Sequence, residues 1–151
     1  MPEKKTLDKA RRAKREGKAP TTQAGAFVEE EIEHIREGKH GARSTKQAIA
    51  IGLSKARRAG VKLPPPPKSA SERTRRGAKS AAKHQGKRPS PSRSRAAKSA
   101  LKKESRSAAS SKALSRQAKQ AARRRPARAR KASAKRAAKT RRTTAARRGS
   151  R

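Results

Sequence analysis

Only 13 of the 151 side chains are large and apolar, while 47 are Lys or Arg. The 13 are Met1, Leu7, Phe27, Val28, Ile32, Ile35, Ile49, Ile51, Leu53, Val61, Leu63, Leu101 and Leu114. Burying one such side chain stabilises a fold by about 1.5–3 kcal/mol. Ordering one residue costs about 1–2 kcal/mol of backbone entropy. Thirteen anchors do not fix 151 residues on those terms, and low hydrophobicity with high net charge is the composition of disordered chains. The expected fold class is therefore mostly disordered and low-complexity with a small all-α part. That part is an antiparallel helical hairpin, followed by a basic tail whose helices are conditional on binding.

The ten Asp and Glu leave a formal charge of +37. A charge of this size repels itself and calls for a polyanion, and nucleic acid is the abundant one, bound through counterion release. Cysteine is absent, which excludes disulfides and Cys-ligated zinc. The longest weakly apolar run, Ala48 to Leu53, is too short to span a bilayer. No signal peptide is read, because the basic start is not followed by an apolar stretch. The expected location is cytoplasmic and nucleoid-associated.

Pro64–Pro67 divide the chain. Residues 1–63 carry 16 basic and 8 acidic side chains; residues 64–151 carry 31 and 2. Residues 1–25 read as a basic N-terminal arm; within it Glu3 to Lys18 can form a helix, which Leu7 alone does not hold against a core and which Gly17 and the Ala19-Pro20 pair end. Residues 26–63 read as the hairpin. Its first helix, 26–37, gathers Phe27, Val28, Ile32 and Ile35 on one stripe. Glu29, Glu30 and Glu31 fall in its first turns, where the helix dipole favours acids, and Gly38 stops it. The second helix, 45–59, opens on Ser44-Thr45-Lys46-Gln47, a capping box, and stops at Gly60. A hairpin of this size is below what usually stands alone, so a homodimer through 26–63 or support from the arm is expected. Residues 64–67 read as a polyproline II linker, and 68–151 as a Lys/Arg/Ala/Ser-rich nucleic-acid-binding tail. Helices are expected there within Ala96–Arg125 and Ala127–Lys139, separated by Pro126.

No catalytic residue, cofactor or metal site is expected. His34, His40 and His84 stand in no triad or metal-ligand spacing, and His34 reads as a plain surface residue. Gly38 to Thr45 is not a P-loop, but it sets Lys39, Arg43 and Lys46 around a helix start, where free N–H groups suit an anion. Arg57 and Arg58 end the second helix. A helix–turn–helix reading is weakened by loose spacing and by a first helix that is acidic on its exposed side. In the tail, Ser90-Pro91-Ser92-Arg93 and Arg95 form a basic turn. Arg123, Arg124, Arg125, Arg128, Arg130 and Lys131 form a dense cluster, continued by Lys135, Arg136, Arg141, Arg142, Arg147 and Arg148. Such Pro-interrupted arginines suit a narrow minor groove or plain phosphate contact. Phe27 is the one aromatic, which disfavours an RNA reader that stacks bases.

The segment from Glu37-Gly38-Lys39-His40-Gly41-Ala42-Arg43 through Ala56-Arg57-Arg58-Ala59-Gly60 resembles a family of small, uncharacterised basic bacterial proteins. The Lys/Arg/Ala-rich tail resembles bacterial linker-histone-like proteins and the tail of eukaryotic linker histones. That second resemblance implies compaction of DNA in a nucleoid, without the winged-helix domain of true linker histones. The expected function is a histone-like, largely sequence-independent protein that neutralises phosphates and bridges duplex DNA. An RNA-binding or ribosome-associated protein, and a protein-interaction hairpin localised by its tail, are the alternatives.

Overall fold

A computed structural model describes residues 2–87 and 90–149; the side chains of 139, 140 and 143–149 lie outside the description. Among the described residues there are seven α-helices, one 3-10 turn and no strand. The helices are α1 (Lys4–Arg15), α2 (Pro20–Arg36), α3 (Thr45–Arg58), α4 (Glu72–Lys83), α5 (Pro91–Lys102), α6 (Ser111–Arg123) and α7 (Ala127–Gly149), with the 3-10 turn at Arg106–Ala109. None is long and apolar enough to cross a membrane. The expectation of a mostly disordered chain with conditional tail helices is thereby overturned.

The reason lies in alanine. Among the described residues eleven hydrophobic side chains are buried, of which eight are Ala and three, Phe27, Ile32 and Ile35, are large. Alanine gives up no side-chain entropy on burial and lets backbones approach closely. One cluster joins Ile32, Ile35, Ala42 and Ala48 to Ala108 and Ala109, with Val28 and Leu114 packed against it. The other joins Ala10, Ala24, Phe27 and Ala56, with Leu7, Leu53, Val61 and Leu63 alongside. The N-terminal arm is therefore docked as α1, and Ala108 and Ala109 from beyond the prolines complete the core. Phe27 and Ile35 are fully covered within one chain.

Local signals explain the boundaries. Pro20 starts α2 at its first turn, where a missing N–H costs nothing; it does not merely end what precedes it. Six residues are thus added to the helix expected from 26. α2 ends in a Schellman motif at Gly38 (φ 78°), with Lys39 N–H on the His34 carbonyl and Gly38 N–H on that of Ile35. α3 ends the same way at Gly60 (φ 93°). Ser44 caps α3 by accepting from Gln47 N–H at 3.2 Å. The Gln47 side chain returns to Arg43 N–H at 2.8 Å, one residue before the position a capping box uses. Gly52 lies where α3 crosses α2: a Cβ there would stand 2.8 Å from the Val28 Cα.

In the tail, Ser71 and Ser90 cap α4 and α5, and Pro91 occupies the first turn of α5. The basic turn expected at Ser90–Arg93 is a helix start. The expected helix Ala96–Arg125 is interrupted between α5 and α6 by the 3-10 turn, while Pro126 does separate α6 from α7. By internal contacts the chain forms two units, Met1–Leu114 and Ser115–Arg151, the division falling inside α6.

Candidate nucleic-acid interface

The first unit spends its acids internally. Glu30 and Glu31 lie mid-helix in α2, 3% and 0% exposed, not in an outward-facing first turn. Lys55 from α3 reaches both, 2.6 Å from Glu31 Oε2 and 3.6 Å from Glu30 Oε1. Glu30 also accepts the Glu3 backbone N–H at 3.2 Å, which ties the start of α1 to α2. Glu29 pairs with Lys9 at 2.6 Å, and Glu37 with Lys39 at 2.9 Å. Glu3 takes His34 at 2.9 Å and Lys39 at 3.4 Å. These hydrogen bonds, His34 first, hold the Glu3 carboxyl below its ordinary value.

The Gly38–Thr45 turn, where an anion site is expected at the start of α3, is bonded on its Gly41–Ala42 side to a later segment of the chain. Gly41 N–H donates to the Leu101 carbonyl at 2.8 Å and Ala42 N–H to that of Ser105 at 3.0 Å. Thr45 Oγ1 donates to the Ala108 carbonyl at 2.6 Å, and Arg36 Nε to that of Ala109 at 3.0 Å. A Cβ at Gly41 would overlap the Glu104 carbonyl oxygen, so only glycine admits this approach. Lys39, Arg43 and Lys46 remain exposed, yet the Lys39 ammonium is engaged, chiefly by Glu37, which raises its pKa. Arg57 and Arg58 are half-buried. Arg57 donates to the Pro64 carbonyl at 3.1 Å, and burial lowers its pKa.

Arg93 and Arg95 lie exposed on α5. In the second unit, 16 basic side chains and no acidic one occupy residues 115–151. Arg123, Arg124, Arg125, Arg128, Arg130, Lys131, Lys135, Arg136, Arg141 and Arg142 are all exposed. Arg136 Nε donates to the Ala132 carbonyl at 3.4 Å. Arg147 and Arg148 fall in the last turns of α7, and their side chains lie outside the described residues. α7 has no apolar stripe. The spacing of Arg128, Lys131, Lys135 and Arg142 sets them on one face. Residues passed over by the density of charge are Arg116 and Lys119 on α6; with Arg123 they repeat at three and four residues, the signal that marks a shared helix face.

Residues 4–68 match a family of unknown function (DUF6496). No curated protein and no solved structure matches the chain. The matched span holds α1, α2, α3 and the proline run, and with them the Glu30–Glu31–Lys55 network. It bears out the resemblance of the central segment to an uncharacterised family and does not address the likeness of the tail to linker histones.

Proposed function

We propose that this chain is a non-enzymatic, largely sequence-independent binder of duplex DNA, acting through phosphate contacts from residues 115–151, with the nucleoid as its place of action. The observation that carries this reading is the run of 16 cations with no anion, its described side chains exposed. α7, at 23 residues, is about 35 Å long, a length over which a duplex presents about 20 phosphates. With no apolar stripe to bury and no carboxylate of its own, the segment finds its counter-charge outside itself. Clustered arginines on α6 and α7 suit phosphate oxygens and a narrow minor groove. The scarcity of aromatic side chains favours a duplex over stacked single strands.

The test is competition at fixed physiological salt against a labelled random-sequence duplex, read by fluorescence anisotropy. Unlabelled duplexes of different base composition are expected to displace it equally, and single strands less well. Displacement by structured RNA at far lower concentration would move the reading to RNA. A strong preference for one duplex sequence would overturn sequence independence.

A further inference from the structure

We infer that Glu31, His34 and His40 form a site for a divalent transition metal of the zinc type, independent of the proposed DNA contacts. One ligand atom from each of the three lies within 4.8 Å of the others. Glu31 and His34 are three apart on α2 and so share a face. His40 comes back to them from the turn that follows Gly38, its ring meeting that of His34 edge-on with centroids 6.2 Å apart. The side chains are 1%, 14% and 15% exposed respectively, so all three are largely shielded from solvent.

Hydrogen-bond geometry turns acceptor atoms toward the centre. His40 Nδ1 lies 3.0 Å from the Gly41 carbonyl, which only accepts, so Nδ1 carries the hydrogen. In the neutral ring, Nε2 then presents a lone pair, and it lies 3.4 Å from Glu31 Oε1. That oxygen is buried and has no hydrogen-bond partner. His34 Nε2 donates to the Glu3 carboxylate at 2.9 Å. Such contacts from ring nitrogen to carbonyl and carboxylate are the arrangement that orients metal-binding imidazoles.

Charge points the same way. Glu30 and Glu31 are two buried carboxylates facing one ammonium, Lys55. The trio carries a net negative charge in a place where charges need compensation. Two imidazoles and one carboxylate suit zinc and its neighbours, with the remaining position left to water. Bonds of about 2.0–2.2 Å bring the donor atoms closer than 4.8 Å, so loading draws the two half-buried rings inward. A bound ion would clamp α2 to the turn whose Gly41 and Ala42 hold the Leu101–Ser105 segment.

The full-length chain, free of any affinity tag and stripped with chelator, is titrated with Zn²⁺ and followed by NMR of its imidazoles. The three histidines supply an internal control, because His84 is exposed on the end of α4 and bonded locally to the Ser80 carbonyl. One equivalent is expected to shift His34 and His40 and leave His84 in place. His34→Gln and His40→Gln, shown folded by circular dichroism, are expected to weaken Co²⁺ binding by at least about tenfold, judged by its visible absorption. Equal movement of all three imidazoles, or none at stoichiometric Zn²⁺, overturns the site. Should a variant fail to fold, the imidazole shifts of the unmodified chain decide the question on their own.

Discussion

Replacing Arg123, Arg124, Arg125, Arg128, Arg130 and Lys131 together by glutamine is expected to weaken binding to a random-sequence duplex by on the order of a hundredfold or more at physiological salt, because six phosphate contacts vanish at once. The dependence of log K on log salt should flatten by about 5, near 0.9 for each contact removed. All six side chains are exposed, so the loss does not travel through a damaged core. Glutamine matches arginine and lysine in helix propensity. Arg128, Arg130 and Lys131 sit in the opening turns of α7, where cations oppose the helix dipole, so helicity should hold or rise slightly. Affinity lost with helix retained separates the electrostatic role from a structural one. The same substitutions leaving affinity unchanged would place the contacts elsewhere on the chain.

Lys55→Met is expected to cost about 3 kcal/mol of stability, measured by urea unfolding followed by circular dichroism. Removing one partner from a buried ionic cluster costs about 3–5 kcal/mol, because the remaining charges stay desolvated and uncompensated. The low end applies here, since the Lys55 side chain is 25% exposed and water already screens part of its field. Against a typical total of about 5–15 kcal/mol, that loss is a large fraction. Adding Glu31→Gln should recover part of it by removing one of the two buried anions, and the non-additivity measures their coupling. A Lys55→Met chain within about 0.5 kcal/mol of the parent, the range of ordinary surface changes, would contradict a buried ionic network.

What could be read from the sequence was what depends on neighbours along the chain. Ser44 and Gln47 announced the start of α3, Gly38 and Gly60 the left-handed stops, and Pro126 the break before α7. Pro20 was legible but ambiguous, since proline both ends one helix and opens the next. The order of the tail escaped because counting large apolar residues gives alanine no weight, although Ala81, Ala108 and Ala109 are buried. The fate of the Gly38–Thr45 turn escaped for another reason: its partners, Leu101 and Ser105, lie some 60 residues onward, beyond any local pattern. Glu30 and Glu31 were misplaced through the same blindness, because only α1 and α3 folding over α2 turns an acidic run inward. The cations of residues 115–151 were visible from density alone, whereas the contact of Lys39 with Glu3, far away along the chain, required the fold.

The most direct measurement is the affinity of the full-length chain for a random-sequence duplex across a series of salt concentrations. If about ten phosphates are engaged, log K should fall against log salt with a slope near −9. A slope near zero, with affinity held as salt rises, would contradict phosphate neutralisation as the basis of binding.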